Sequence, residues 1–387
     1  MACFLGFTGF TLVMPFLPLF IAQLGVTDVG SIALWTGASL GVTPGLTALL
    51  APAWGRLGDR YGRKIMVERS MLSFVVLMTA MAFVTRAWHV LAIRAVQGVF
   101  AGYGSLSLAM AAESAPRDRM SSAIGTVQTA QRLGPAVGPV IGGALAALVG
   151  LRRSFLVTAV FYAVGLISVR MLYDDRVGAG AAAHAAMAED ADPPVSFRSV
   201  LAFQNFALMM AVIFGLQFVD RSLGPVLPLY VEQVGVAHAR VPLVTGVLFS
   251  ILACAGALGH HFCGRLLKRL SPRVVIAAGA SLAAAGSIVV ASSSLWLMCV
   301  ASTALGLGIG AAMTASYTAA GSVIPARAHG AGFGVLTSAS LVGMASSPVI
   351  AGFLGGTSIR AVFFVNVVVM TVVAGAVQQI MTDSRRS

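Results

Sequence analysis

GRLGDRYGRK, residues Gly55 to Lys64, decides how this chain is read. Arg56, Arg60, Arg63 and Lys64 surround one carboxylate, Asp59, between two apolar segments. Only 10% of the residues are charged, and nowhere else are charges packed so tightly. Such a cluster between apolar spans reads as a short cytoplasmic loop, because translocation leaves Lys and Arg on the inner side. Gly55, Gly58 and Gly62 would allow a tight turn there. That placement orients every other segment.

Composition agrees. With 58% hydrophobic residues, a mean hydropathy of +0.91 and 13 acids in 387 positions, the chain lies far outside the range of soluble domains. It reads as an all-α integral membrane protein. A net charge of +12 would suit nucleic acid only if the cations formed one face of a soluble fold. They fall instead in short loops between spans, so membrane orientation explains them and no nucleic-acid partner is expected. Cys3, Cys254, Cys263 and Cys299 have neither disulfide nor metal spacing, and read as small apolar fillers.

Each span needs about 20 mostly apolar residues to cross the hydrocarbon layer. The first six are expected at 3–24, 32–54, 65–85, 88–112, 121–149 and 154–173. The second six are expected at 201–231, 241–263, 273–292, 295–320, 330–355 and 359–381. With both ends inside, sixteen of the 25 cations fall in inner loops and tails, and five (Arg86, Arg152, Arg153, Arg240 and Arg360) in outer loops. That bias has the expected sign. Arg69, Arg94, Arg132 and Arg221 fall within spans. No signal peptide is evident, and a short cytoplasmic tail is expected ahead of Met1.

The halves repeat each other. MPFLPLFIAQLGV, from Met14, aligns with GPVLPLYVEQVGV, from Gly224, so that Pro15, Pro18, Gln23 and Gly25 match Pro225, Pro228, Gln233 and Gly235. GRL at Gly55 recurs at Gly264, and GPVIGG at 138–143 recurs as SPVIAG at 347–352. Three matches nearly in register imply duplication of a six-helix unit, as in transporters whose halves rock about a central site. The expected domains are 1–173 and 200–387, joined by a polar cytoplasmic linker at 174–199 whose Ala, Gly, Pro and acid content cannot bury a core. His184 in that linker reads as solvated.

These motifs resemble the major facilitator superfamily, and most of all its twelve-span drug/proton antiporter branch. Gly55, Asp59, Arg60, Gly62, Arg63 and Lys64 occupy the defining positions of that superfamily's loop signature between spans 2 and 3. Arg94, with Gln97 and Gly98, resembles the span 4 signature of proton-coupled members. Gly134, Gly138, Pro139, Gly142 and Gly143 match the span 5 antiporter motif, which implies export. The resemblance implies two pseudo-symmetric six-helix bundles, no cofactor beyond the proton gradient, and a monomer in a bacterial inner membrane with both termini cytoplasmic. Its partners would be a small-molecule substrate, protons and membrane lipid.

The loop cluster would act as a gating latch. Asp59 is placed to accept from a helix N-terminus, where anions are favoured, and the family pattern makes that helix span 11, beginning near Gly330. Arg63 would pair with Glu113 at the inner end of span 4. Gly134, Gly138 and Gly142 recur every fourth residue, so their shared face lets helices approach closely, and a leak-tight junction between the halves is expected there. Gly343, Ser347 and Ala351 keep the small-residue face in the second half. Pro139 and Pro348 permit a bend.

Ionisable groups within spans are costly and usually face a cavity or a partner. Arg132, with Gln128 and Gln131, is the expected substrate contact; the alternative is that Arg132 pairs structurally with Asp220. Asp220, inside span 7, could load and release a proton as burial and a nearby cation pull in opposite directions. It leads as the proton-coupling residue, with Arg94 and Glu113. Many relatives put an essential acid in span 1, and span 1 here has none. Arg221 follows Asp220 directly and need not pair with it, since neighbours point about 100° apart on a helix. Phe4, Phe7, Phe10, Phe16, Phe20, Met209 and Met210 read as an adaptable lipophilic surface or as lipid-facing filler. His260 and His261 stand where the loop signature's second copy would be, and adjacent histidines alone do not make a metal site.

An enzyme is not expected: no metal-spaced His or Glu cluster, nucleophile elbow or phosphate loop is present in the sequence. A passive receptor would have no need of a duplicated junction and latch. The expected function is proton-coupled export of small lipophilic or drug-like molecules by alternating access. The alternative is a dedicated exporter of a metabolite such as a siderophore or sugar, with Arg132 meeting an anionic group.

Overall fold

The structure is a computed structural model that describes residues 2–114, 120–173, 205–324 and 329–381, and within these every regular element is helical. The expected inter-half linker at 174–199, and Arg117, Arg119, Arg327, Arg385 and Arg386 of the inner loops and tails, lie outside the described residues.

The first expected span is broken. Helix α1 (Ala2–Leu12) and helix α2 (Leu17–Gln23) meet at a bend of 50°. Two prolines explain the break: Pro15 lies in the connecting turn, and Pro18 stands in the first turn of α2, where no amide hydrogen is needed. Gly25 then turns the chain with φ of +92°, a conformation open to glycine. The repeat does the same. Helices α9 (Phe206–Ser222) and α10 (Leu227–Gln233) meet at 44° around Pro225 and Pro228, and Gly235 has φ of +94°.

Helix α3 (Val29–Tyr61) starts with Asp28, whose Oδ2 accepts from the Ser31 amide at 2.7 Å. It corrects the expected loop. Gly55 to Tyr61 remain helical, and the turn is confined to Gly62 (φ +92°), after which α4 (Arg63–Met81) begins at once. Length gives the reason: 33 residues at about 1.5 Å each exceed a hydrocarbon layer of about 30 Å, so the charged end can stay helical beyond the apolar stretch Val29–Leu50. Gly58 serves packing rather than turning, since a Cβ there would lie 2.8 Å from Leu106 Cδ2.

The fourth expected span is also divided, into α5 (Ala87–Phe100) and α6 (Tyr103–Ser114), with Gly102 at φ +125° between them. Helix α7 (Met120–Val149) runs through Pro135 and Pro139, and α8 (Leu151–Leu172) follows a single glycine, Gly150. After α10 a 3-10 turn (His238–Arg240) leads to α11 (Val241–Leu266), α12 (Pro272–Val290), α13 (Leu295–Val323), α14 (His329–Thr357) and α15 (Ile359–Ile380).

Eight of these helices are long and apolar enough to cross a membrane, and ten spans result if each bent pair counts as one. The other two expected spans fall on α4, which opens with Arg63, Lys64, Glu68 and Arg69, and on the short pair α5 and α6. Large apolar side chains such as Phe83, Leu148, Trp296 and Phe364 stand exposed, as lipid contact requires.

Packing follows the duplication. In the first half α1 lies on α7 and α8, α3 on α5, and α4 on α8; in the second, α9 lies on α14, α11 on α13, and α12 on α15. The halves meet through α3 with α14, through α7 with α11, and through α2 with α10. Phe16 and Phe20 close on Phe155, while Phe7, Tyr103, Phe74 and Tyr162 form a second aromatic chain. Phe16, Phe20 and Met209 are therefore core, neither lipid-facing nor lining a substrate surface.

Candidate functional site: the cleft between the halves

Two junctions join the halves, and the repeat makes them equivalent. On α3 and α14, the Pro348 carbonyl lies against Gly37, a Cβ on Gly37 would stand 3.0 Å from Gly352 Cα, and one on Gly30 would stand 2.8 Å from Gly356 Cα. On α7 and α11, the Pro139 carbonyl lies against Gly246, Gly143 meets the Pro242 carbonyl, and Ser250 Oγ accepts from the Val140 amide at 3.1 Å. Side-chain-free positions let the backbones touch.

The expected role of the glycine stripe is corrected by this geometry. Gly134, Gly138 and Gly142 face α1 within the first half: Cβ atoms there would press on Phe7, Thr8, Thr11 and Leu12. Pro139 and Gly143, on the adjacent face, make the inter-half contact. The second half repeats the division. Gly343 lies against the Phe214 carbonyl and Ser347 Oγ donates to the Phe218 carbonyl, both on α9, whereas Pro348 and Gly352 face α3.

Both junctions open away from the Asp28 end. Beyond Ala345, the face of α14 that points to α3 continues through Ser338, Thr337 and Gly334, all exposed. Beyond Ser250, the corresponding face of α11 continues through Ala257, His261 and Gly264, again exposed, and Gln128 of α7 is exposed opposite. Polar and small residues at register positions of a packed face mark a cleft, open at the end carrying GRLGDRYGRK.

Gln128 and Arg132 share the helical face of Pro139 and Gly143, so the cleft side is where the register puts them; the Arg132 side chain lies outside the described residues. Gln131 is turned away, and its Nε2 donates to the Gly104 carbonyl of α6 at 3.0 Å. The structure thus separates it from the other two.

Asp220 sits in the last turn of α9, beside the break, with its side chain 25% exposed and Oδ2 3.1 Å from Arg221 Nε. The two neighbours do pair here, which adjacent positions on a helix need not do. Ser222 and Asn366 of α15, both fully buried, exchange hydrogen bonds of 3.0 and 2.8 Å just behind them.

Arg94 is buried, with Nη1 donating to Gln97 Oε1 at 3.0 Å and the guanidinium 5.8 Å from the Phe10 ring. Of the expected latch, Arg60 is exposed beside Tyr61, Arg63 is half-buried, and Lys64 Nζ donates to the Tyr173 carbonyl at the end of α8, at 2.6 Å. The side chains of Asp59 and Glu113, and the atoms of Gly55 that would meet neighbours, lie outside the described residues.

One feature escaped sequence reasoning. The break between α5 and α6 frees backbone carbonyls inside the apolar layer, and α3 and α4 take them up. Thr47 donates to Gly98 (3.3 Å), Trp54 Nε1 to Val99 (2.8 Å) and Arg69 Nη2 to Phe100 (3.2 Å), and Thr43 adds a bond to the Arg94 carbonyl further along α5 (2.8 Å). The Arg69 guanidinium lies 3.5 Å from the Trp54 ring centroid. Without these donors, a broken helix at that depth would leave costly bare carbonyls. Two threonines four residues apart followed by an in-span tryptophan were the available signal. His260 Nδ1, for its part, lies 2.7 Å from Thr314 Oγ1 of α13.

Duplicated halves, proline-bent spans and a cleft closed at one end define a membrane transporter rather than an enzyme. The sequence matches the Major Facilitator Superfamily over residues 1–274 and 242–378, and the chain belongs to that family. It is 32% identical over 284 residues to "Multidrug resistance protein MdtG" of Proteus mirabilis, covering 71% of this chain and 67% of that protein. It is 31% identical over 264 residues to the "Multi-drug resistance efflux pump PmrA homolog" of Lactococcus lactis, covering 68% and 64%. The alignments thus span about two thirds of those relatives. In fold it is similar to a D-xylose-proton symporter, with a TM-score of 0.77 at 12% identity over 99% of this chain and 96% of the other. It is likewise similar to a bacterial homolog of the human lysosomal transporter Spinster, with a TM-score of 0.76 at 16% identity over 97% and 94%.

Proposed function

We propose that this chain is a proton-coupled exporter of small lipophilic or drug-like molecules, alternating access between halves 1–173 and 200–387. The observation that carries this reading is the pair of equivalent glycine–proline junctions, tight at the Asp28 end and parted at the Arg60 end. A machine with two such junctions can close one mouth of the cleft while opening the other. The multidrug-resistance names of its relatives support export.

In this reading the chain crosses a bacterial inner membrane twelve times as a monomer, with α4 and the α5–α6 pair supplying the two less apolar spans. The cationic Arg60 end faces the cytoplasm, so the conformation is inward-open. The latch residues would then act in the opposite state, when Asp59 reaches the start of α14 and Arg63 holds Glu113. Arg132 and Gln128 meet substrate from the cleft face of α7. Asp220 releases Arg221 when protonated, at the break that lets α9 and α10 change angle, and Arg94 fixes the charge of the first half. No cofactor is required beyond the proton gradient.

Efflux from proteoliposomes under an imposed pH gradient tests the reading across a panel of lipophilic cations, neutral dyes and carboxylated metabolites. Gradient-driven efflux of several lipophilic compounds, lost in Asp220→Asn, is the expected result. Export of one carboxylated compound alone would favour the dedicated metabolite exporter. Undiminished gradient-driven efflux by Asp220→Asn would remove Asp220 from the coupling.

A further inference from the structure

The interior of the first half contains donors without an acceptor. Arg94 is 2% exposed, Gln97 1% and Tyr162 0%, yet among the described residues Arg94 Nε, Gln97 Nε2 and Tyr162 Oη find no hydrogen-bond partner. They share one neighbourhood. Gln97 is bonded to Arg94, Tyr162 is within electrostatic reach of Arg94, and α1 passes both through adjacent residues. Gly9 lies on the Tyr162 ring and Phe10 under the guanidinium. Gln97 must aim its oxygen at Arg94, since its amide nitrogen would meet a donor, and this leaves that nitrogen over as the orphan.

The guanidinium also lacks a counter-charge among the described residues. Among the described residues its recorded partners are Gln97 Oε1 and the Phe10 ring, both uncharged. A permanently charged group in the apolar layer is strongly disfavoured without a counter-charge. Water would satisfy the three donors and leave the charge. A multi-atom substrate would need an opening, and these side chains have almost no exposed surface. A small sphere of negative charge answers both requirements.

We propose that Arg94, Gln97 and Tyr162 hold a monatomic anion, of chloride's size and charge, as the buried counter-ion of the first half. The site is separate from the cleft and does not depend on the substrate proposed above. It gives this chain, from the medium, the negative charge that its first span lacks.

Equilibrium dialysis with radiolabelled chloride, and thermal unfolding in chloride against gluconate, test this on the full-length protein in detergent. The expected result is a single saturable binding phase, displaced by bromide and not by gluconate. Tm should be raised in chloride by roughly 2 °C or more. Tyr162→Phe, which loses only the hydroxyl, should weaken binding roughly tenfold while remaining folded. Absence of saturable binding and equal Tm in the two media would overturn the proposal on the unaltered protein alone. Undiminished affinity in both Tyr162→Phe and Gln97→Leu would place the ion elsewhere and overturn it equally.

Discussion

The backbone carbonyl of Pro348 lies against Gly37 so closely that a methyl group on that glycine would overlap it. Pro139 stands in the same relation to Gly246 across the other junction. Because these contacts join different halves, a side chain there should bias the equilibrium between conformations and spare each half's own packing. Gly37→Leu is expected to disfavour the closed Asp28 end by about 1–3 kcal/mol, a shift of roughly 5–150-fold. Gly246→Leu should behave alike. Transport assays beside expression levels check this: both variants should be made normally and transport at least about tenfold more slowly. Full transport by either would show that its junction does not have to close.

Gly142 should respond differently. It faces Leu12 inside the first half, where an added Cβ would lie 3.0 Å from the Leu12 Cα. Gly142→Val overpacks α1 against α7 in every conformation, so about 1–3 kcal/mol of folding stability should be lost. A lower Tm in detergent and reduced yield are the expected signs. An unchanged Tm with slowed transport would reverse the assignment of faces.

Trp54 and Arg69 hold the carbonyls at the break between α5 and α6. Trp54→Phe keeps a ring beneath the Arg69 guanidinium and removes the donor to Val99, at a cost of about 1–2 kcal/mol. Hydrogen exchange at residues 98–104 should accelerate roughly tenfold. Exchange confined to its original rate would mean that another group supports the break.

Asp28 gives a pH dependence at the closed end. The Ser31 amide bonded to its carboxylate holds its pKa below the ordinary aspartate value. A depressed native pKa means that the cap contributes fully above the unfolded-state value and is lost as pH falls through the native one. Tm of Asp28→Ala should therefore lie below that of the unaltered protein at neutral pH, and the two should converge in acid. A gap that persists at low pH would assign the effect to something other than the carboxylate.

Much of this was legible in the residues. The offset between Pro18 and Pro228 announced two copies of one unit, and hydropathy placed most spans within a few residues. The divided spans were not, because an apolar average over a window is blind to whether the helix within it is continuous at Val13–Phe16 or Ala101–Gly102. The Gly55–Lys64 cluster was read correctly as a charged end and wrongly as a loop, since helix can extend past the apolar layer wherever water receives its side chains. The glycine stripe identified close packing and could not say against which helix. Gly142 and Gly143 differ by one residue, and hence by about 100°, which is the angle between a partner within the half and one beyond it.

Gly62 alone separates the end of α3 from the start of α4, leaving no slack between them. Any tilt of the longer rod at the inter-half junction must therefore reach α4, and through Lys64 the end of α8, as at an elbow with no tendon to stretch. Lengthening that joint by a few flexible residues would disconnect the arm from the shoulder while leaving both intact.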